Sequence, residues 1–384
     1  MNRVTGILSA GTSFVTTSCV AILCGALLFV AAGAPAQAQS DAVRALYASS
    51  AIVSTNVEGI KTFPSPPARF NAIAASDEAL AMYGFPPRPD RNARGYVPWM
   101  HAMAHARNRA SDALKLHPEA VLGPMKLARK QPAQNATAGS AVPSNFGSVN
   151  WSGVANTNAL TKWNKITSFD AVSSEFNVPV VDQTFGTCNS IEWEVTWNGI
   201  DGAKDGTVLQ GGSSSQTFCS SNVVSTQYYA WVEWYPSYPI VEVFGINPGD
   251  DIFVQTSTMS GGCNPGFVYI EDETTLTYGT YQLNWLNGPC LVGNSAEIIV
   301  ERPYGDNNVS GWYPLANYIW DFALSWSFDV KGTEFAPGAT TPSTYLFTML
   351  DDAEDQNISI PHVEGKYSII VSDTGCAYTG GCTP

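Results

Sequence analysis

The sequence predicts an all-β protein, a two-sheet antiparallel β-sandwich preceded by a mostly helical segment. Three observations after residue 149 predict the sandwich: apolar and polar residues alternate over many short stretches, glycine and proline separate these stretches, and aromatic residues are abundant. The alternation is clearest at 191–197, 228–235 and 296–301. We expect 191–197 to be a half-buried strand, with Glu192, Glu194 and Thr196 on its polar face.

The first 38 residues have the pattern of a secretory signal peptide. Arg3 gives a positive start, residues 20–32 form an apolar run too short to span a bilayer comfortably, and Ala36-Gln37-Ala38 is a small-x-small cleavage site. We therefore expect cleavage after Ala38 and a secreted protein, extracellular or periplasmic. An uncleaved membrane anchor is the alternative.

Residues 39–144 are predicted to be a prosegment and linker. Ser76 can cap a short helix that stops at Gly84, and Pro98 suits the start of a second helix that runs to about Leu116. Residues 131–145 have the composition of a linker, where a zymogen would be cut. The predicted organisation is a signal peptide at 1–38, a basic prosegment at 39–144 and an acidic catalytic domain at 145–384.

The formal net charge of −14 is divided sharply along the chain. Residues 39–144 hold twelve Lys/Arg against seven Asp/Glu, a net of +5, whereas residues 145–384 hold six against twenty-six, a net of −20. At neutral pH the negative charges of so acidic a domain repel one another, and the domain does not attract nucleic acid. The basic prosegment could be held on it by ion pairs that acid would weaken.

Six cysteines follow the signal peptide, an even number that predicts disulfides in an exported chain. Cys376 and Cys382 can close a small C-terminal loop. The other four, which allow three pairings, are Cys188, Cys219, Cys263 and Cys290. A zinc site is a weak alternative here, since the sequence has no CxxC and only His362 lies in this region.

Several classes of hydrolase lack their motifs in this chain. The sequence contains no GxSxG, no HExxH and no Gly-rich phosphate loop. A Ser/His/Asp hydrolase would depend on His362, the one histidine after the prosegment, and the paired Asp-Thr/Ser-Gly signatures of pepsin-like enzymes are missing. The remaining candidates for catalytic groups are carboxylate and amide side chains.

Five short motifs occur in a fixed order: NWSG at 150–153, WNGIDG at 197–202, VLQGG at 208–212, YAWVEWYP at 229–236 and AEIIVE at 296–301. Together they resemble the glutamic peptidase family, also called eqolisins. The resemblance covers roughly residues 150–330. It departs from the family pattern at Asn198, Val232 and Ile298.

The resemblance implies a concanavalin A-like jelly roll with substrate across its concave face. It implies that Gln210 and Glu297 are the catalytic dyad, with Asp201 and Glu233 as acidic residues nearby and Trp197 in the substrate cleft. Trp151 and Tyr235, from the same motifs, are further candidates for substrate binding. Such a dyad hydrolyses peptide bonds with water as the nucleophile, so the resemblance implies no cofactor and no catalytic metal.

The reaction logic of the pair follows from ordinary chemistry. A carboxylate such as Glu297 can take a proton from water and return it to the leaving nitrogen in mild acid. An amide such as that of Gln210 can donate to the oxyanion at any pH. We therefore expect an acid endopeptidase that acts on proteins or peptides, is held inactive by its own prosegment, has no nucleic-acid partner and no membrane contact after signal cleavage, and is a monomer.

Two alternatives use the same residues differently. A glycoside hydrolase on a similar jelly roll would use Glu233 and Glu297 as its two carboxylates and stack tryptophans on sugars. A non-catalytic lectin-like module would bind sugar and tolerate the loss of Glu297.

Overall fold

The computed structural model describes residues 45–47, 50–129, 144–157, 169–182, 191–258, 261–305, 315, 317–318, 321–329, 334–335, 344–351, 356–365, 367–374, 376–377 and 381–382. The predicted signal peptide, most of the linker and Cys188 lie outside these residues. Among the described residues, neither helix reaches the length and hydrophobicity that crossing a bilayer requires. The chain is predominantly β, which confirms the predicted fold class.

The strands form two packed layers. The first-layer strands are β5 (Ser144–Ser148), β6 (Trp151–Thr157), β9 (Ile191–Ile200), β10 (Val208–Ser220), β11 (Val223–Tyr235), β12 (Ile240–Gly245), β16 (Ser295–Glu301) and β20 (Thr344–Asp351).

The second-layer strands are β7 (Phe169–Asn177), β13 (Asp251–Thr258), β14 (Gly266–Asp272), β15 (Thr277–Leu283), β18 (Asp321–Asp329), β21 (Gln356–Val363) and β22 (Ser368–Asp373). The first layer runs β12-β11-β10-β9-β16-β6-β20-β5 and the second runs β21-β22-β18-β7-β13-β14-β15. The layers are joined where β20 pairs with β21. β19 (Glu334–Phe335) pairs with β18. Two small separate pairs are β8 (Val181–Asp182) with β17 (Asn317–Tyr318), and β23 (Cys376–Ala377) with β24 (Gly381–Cys382). The apolar core lies between the layers, where Ile200, Leu209 and Ile298 belong to the same cluster as Val254 and Val268.

The N-terminal segment, residues 45–129, folds against both layers. Its strands lie at sheet edges: β2 (Ile60–Thr62) and β3 (Asn108–Arg109) pair with β15, β1 (Val53–Ser54) pairs with β2, and β4 (Lys115–His117) pairs with β12. The first helix, Asp77–Met82, begins at Ser76, whose hydroxyl accepts a hydrogen bond from the backbone N–H of Ala79, as predicted.

The second helix, Tyr96–His105, is shorter than predicted. The sequence predicted helix to about Leu116, but β3 and β4 occupy that stretch and their backbone bonds to the sheet replace helical ones. Helix propensity is a weak local preference, and pairing with the sandwich overrides it. The described part of this segment is therefore not mostly helical.

The predicted half-exposure of the strand at 191–197 is also wrong. β9 is buried on both faces, and Glu192 and Glu194 are fully buried. Their side chains share a face with Asn198, which donates to the backbone of Val254 in the second layer. The alternation predicted the strand correctly, but its polar face is turned toward the other layer rather than toward water.

Cys263 and Cys290 form a disulfide, which joins the start of β14 to the loop before β16. Cys219 is also disulfide-bonded. Cys376 and Cys382 are directly opposite each other in the β23–β24 pair, which is compatible with the small C-terminal loop predicted for them.

Candidate active site

The predicted dyad residues lie in one row across the first layer. Residues directly opposite each other in an antiparallel pair share a face of the sheet. Gln210 is opposite Glu233 on one side and Gly199 on the other, and Gly199 is opposite Glu297. Glu233, Gln210, Gly199 and Glu297 therefore occupy four adjacent strands on one outer face, and the dyad residues are separated by a single strand.

Gly199 places no side chain between the two dyad residues. With strands about 4.8 Å apart, the backbones of Gln210 and Glu297 lie roughly 10 Å apart. A Cβ at Gly199 would lie 2.8 Å from the Trp197 ring, 2.9 Å from the carbonyl oxygen of Leu209 and 3.1 Å from Cβ of Gln210. A side chain here would clash with these atoms, so only glycine fits at this position, and no side chain of β9 lies in the row between the amide and the carboxylate.

Gln210 is held in place by its neighbour on β11. Its Nε2 donates a hydrogen bond of 2.5 Å to Oε2 of Glu233, and both side chains are fully buried. An amide nitrogen has two hydrogens, so one N–H remains for another acceptor. Burial, and then repulsion from Glu301, raises the pKa of Glu233 well above its ordinary value.

Glu297 is a fully buried carboxyl, and among the described residues neither of its oxygens has a hydrogen-bond partner of normal geometry. Burial raises its pKa well above the ordinary value, and the charges of Asp201 and Asp205 raise it further. Ser295 and the backbone of Ala203 lie close enough to oppose that shift in part. A carboxyl in this environment is a candidate general acid and base.

Asp201 holds the loop that leads into β16. Its carboxylate accepts hydrogen bonds from the backbone N–H groups of Val292, Gly293 and Asn294, at 2.6, 2.9 and 2.7 Å. Asp201 itself has a positive φ of 69° at the end of β9, a conformation that aspartate tolerates better than most residues. Burial, and then repulsion from Asp205, raises its pKa to about 7.

The two predicted tryptophans are in contact beside the dyad. The rings of Trp151 and Trp197 meet edge to face, with centroids 5.0 Å apart. Nε1 of Trp197 donates to Oε2 of Glu301 at 3.0 Å, and Nδ2 of Asn150 donates to Oε1 of the same Glu301 carboxylate at 3.0 Å. Burial raises the pKa of Glu301 to about 8, although these donors oppose the shift.

Glu301 and Asn150 were not among the predicted site residues, although both belong to the quoted motifs. Glu301 has the same parity as Glu297 on β16, which is the signal that could have identified it. Tyr235, which was predicted, lies at the end of β11, and its ring would be 3.6 Å from a Cβ at Gly123. The structure thus brings all the predicted residues to one face or its edge.

A short stretch of the N-terminal segment, residues 120–126, lies over this face. Nε1 of Trp151 donates to the carbonyl of Gly123 at 3.1 Å, and the N–H of Gly123 donates to Glu301 at 3.3 Å. The N–H of Met125 bonds the carbonyl of Gly202 at 3.0 Å. The side chain of Leu122 is fully buried in the same cluster as Trp151 and Trp197. We call residues 120–126 the cover stretch.

The structure thus places a buried carboxyl and a buried amide on one outer face of an all-β sandwich, an arrangement that acid–base chemistry can use. Residues 149–323 match the model of the Peptidase A4 family, which is the eqolisin or glutamic peptidase family. This match confirms the resemblance that the sequence motifs indicated. The enzyme it indicates is a glutamic endopeptidase, a hydrolase of peptide bonds.

Several solved structures are similar to the chain. Scytalido-glutamic peptidase, solved with a transition-state analogue inhibitor, is 21% identical, and the match covers 59% of this chain and 98% of that one with a TM-score of 0.46. SCP-B, an eqolisin solved with the tripeptide Ala-Ile-His, is 19% identical with the same coverages and a TM-score of 0.43. Aspergilloglutamic peptidase from Aspergillus niger is 21% identical, with coverages of 47% and 99% and a TM-score of 0.38. No curated protein sequence matches the chain.

Proposed function

We propose that this chain is a secreted acid endopeptidase that cleaves peptide bonds with Gln210 and Glu297 and is made as a zymogen. The observation that carries the proposal is the row in which Gly199 alone separates the two side chains. A scissile carbonyl bound over this row would lie between an amide donor and a carboxyl, because Gly199 places no side chain between them.

In the proposed reaction, the Glu297 carboxylate takes a proton as water attacks the carbonyl carbon. The free N–H of the Gln210 amide stabilises the oxyanion, and one such donor contributes about 3–4 kcal/mol. Glu297 then gives its proton to the amide nitrogen as the C–N bond breaks. Glu233 acts as a positioning residue, because its hydrogen bond orients the amide of Gln210.

The cover stretch supports the zymogen part of the proposal. Leu122, Gly123 and Met125 bury the face that substrate would need, and they do so through main-chain bonds to the site. The linker predicted at 131–145 follows directly. Cutting that linker would free the cover stretch to leave, and water would then return to Glu297 and lower its pKa toward the ordinary range of a glutamate.

Export is proposed from the predicted signal peptide at 1–38, and the disulfide between Cys263 and Cys290 is consistent with an oxidising compartment. The glycosidase alternative has less support. Its two carboxyls should lie about 5–10 Å apart. The backbones of Glu233 and Glu297 are separated by three strand spacings, about 14 Å, and Gln210 is bonded to Glu233 between them.

The test is digestion of a denatured protein from about pH 2 to 7, with Glu297→Gln beside the wild type and with pepstatin and EDTA as inhibitor controls. We expect cleavage only in acid, insensitive to both inhibitors and abolished in the variant. Glu271→Gln is the matched control: Glu271 is equally buried but lies on β14 in the second layer, so this variant should keep its activity. Substantial turnover by Glu297→Gln would exclude the proposed dyad.

If no cleavage occurs at any pH while the chain is folded and the prosegment has been released, the sugar-directed alternatives become the ones to test. Saturable binding to a panel of oligosaccharides without turnover would then favour the lectin-like module.

A further inference from the structure

Two histidines of the N-terminal segment meet two carboxylates of the sandwich, far from the dyad. His101 and His105 lie one turn apart on the second helix, so both face the same way. Glu273 follows β14, and ligand atoms of His101, His105 and Glu273 all lie within 4.8 Å of one another. The proposed peptidase reaction uses none of them.

The contacts at this cluster are close. Nδ1 of His101 lies 3.0 Å from Oε2 of Glu273 and 3.8 Å from Oε1 of Glu175, and the two imidazole rings are 4.3 Å apart between centroids. Glu175 is on β7, so three separate parts of the chain meet here. Two imidazoles and two carboxylates are a donor set of the kind that Zn²⁺ binds.

Two details favour a metal over a simple ion pair. Nδ1 of His105 bonds the carbonyl of His101 at 2.8 Å, which leaves Nε2 of His105 available as a ligand. Metal-binding histidines commonly use their second nitrogen in this way. The Glu273 side chain is only 2% exposed, yet within the described part of the chain no donor is bonded to its Oε1. A buried carboxylate oxygen without a partner is unfavourable unless something binds it.

The charge balance also favours a cation. The carboxyls of Glu175, Asp251 and Asp272 all lie near enough to Glu273 to interact with it electrostatically. The His101 side chain is 53% exposed, so its ring can turn toward a shared ion without repacking the core. In such a site the zinc ion would lie about 2.0–2.2 Å from each donor atom.

We propose that His101, His105, Glu273 and Glu175 bind a zinc ion that fastens the helix Tyr96–His105 to the second layer of the sandwich. The ion would have a structural role, and its ligands exist together only while the N-terminal segment is docked. Bound zinc therefore stabilises the docked arrangement by mass action. This inference does not depend on the peptidase activity, because the site lies outside the dyad.

The test is titration of zinc into the metal-free, purified full chain at neutral pH, followed by calorimetry. We expect one ion per chain, with affinity at least tenfold weaker in His101→Asn and in His105→Asn. Both residues are partly exposed, so the variants should fold, and circular dichroism checks this. His362→Asn is the matched control, because His362 is exposed on β21 away from the cluster, and it should bind zinc as the wild type does.

A second measurement locates the ion. Zinc should slow amide hydrogen exchange in residues 96–105 of the wild type and have no such effect in His105→Asn. The proposal would be overturned if His105→Asn bound zinc with wild-type affinity. It would also be overturned if the wild type bound no zinc at concentrations up to about 1 mM, about a thousandfold above a micromolar Kd. Neither outcome would bear on whether Glu297 is catalytic.

Discussion

The two outer faces of the sandwich are both covered by the N-terminal segment, but with different chemistry. Over the second layer, the helices place Phe85 and Trp99 in one apolar cluster with Phe253, Tyr269 and Tyr278. Over the first layer, the thin cover stretch lies on three glutamates and a glutamine, and main-chain hydrogen bonds provide much of the contact. One face is packed as a core is packed, whereas the other is a polar site covered by a strip of backbone.

This difference indicates which of the two contacts between the N-terminal segment and the sandwich opens more easily. Aromatic packing is favourable in proportion to the area it buries, so the second-layer contact anchors the segment. A region with little apolar contact opens at a lower free energy than the core does. The cover stretch has one large buried apolar anchor, Leu122, together with the smaller Ala120 and the partly buried Met125. We therefore expect the two contacts to respond differently to the same kind of substitution.

The largest effect is expected at the anchor. Trp99 is 1% exposed and its Nε1 donates to the carbonyl of Pro86 at 3.0 Å. Trp99→Ala should lower the free energy of unfolding by about 3–5 kcal/mol, measured by urea denaturation of the full chain. Val97→Ala on the same helix is the control, because Val97 is 64% exposed and its loss should matter little. Equal effects of the two substitutions would contradict an anchoring role for this face.

The next effect is expected at the cover stretch. Leu122 is fully buried and Leu127, five residues later, is 59% exposed. Leu122→Ala should weaken the cover by about 2–5 kcal/mol, so the uncut chain should begin to cleave a peptide substrate in acid. Leu127→Ala should leave the uncut chain inactive, and all chains should be equally active once the linker is cut. If the uncut Leu122→Ala chain does not cleave the peptide, other contacts must hold the cover stretch in place.

The site face also makes stability depend on pH, with a definite sign. The pKa of Glu301 is raised to about 8 by burial, above the ordinary carboxyl value in the unfolded chain. The folded form thus binds an extra proton between about pH 4.5 and 8, and Glu301 contributes full stability below that range and loses it as pH rises through it. The slope for one such group is about −1.4 kcal/mol per pH unit.

Glu301→Gln removes this titration, so the plot of unfolding free energy against pH should become less steep by about that amount. The slope is the readout, since the lost hydrogen bonds also change the absolute value. Glu364→Gln, at an exposed position, is the control and should leave the slope as it is. An unchanged slope in Glu301→Gln would mean that Glu301 is ionised in the folded chain.

The direction of this pH dependence bears on the hypothesis that acid releases the prosegment. The raised pKa values of Glu233, Glu297 and Glu301 favour the covered form in acid, since each covered carboxyl prefers its proton. Acid release would have to come from the ion pairs between the segment and the sandwich instead. Among the described residues these lie at the edges, at His101, Lys115 and His117.

Alternation within a strand predicted which side chains share a face, because the period of two is a property of the extended backbone. For 228–235 the structure agrees: Tyr229 and Trp231 lie in the site-face cluster, and Val232 and Trp234 lie in the core between the layers. Register between strands could not be predicted, so the place of Gly199 between Gln210 and Glu297 was not visible. The resemblance supplied the dyad itself.

What the sequence missed depends on distant partners. β4 replaces the predicted helix end because its backbone pairs with β12, a strand far away in the sequence. Glu192 and Glu194 were assigned to an exposed face because local polarity does not show that a second layer covers them. The cover stretch has no motif at all, and only its contacts with Trp151 and Glu301 reveal its position.

The smallest effect is expected at the edge ion pair. Lys115 lies 3.1 Å from Glu242 but its side chain is 58% exposed, so the pair should contribute no more than about 1 kcal/mol. Lys115→Gln should therefore change the rate of prosegment release less than about fivefold, and 0.5 M salt should act as weakly. Release followed by gel analysis at fixed acid pH measures both. A salt effect above tenfold would instead mean that attraction between the basic segment and the acidic domain as a whole holds the zymogen closed, because screening acts on all the exposed charges together.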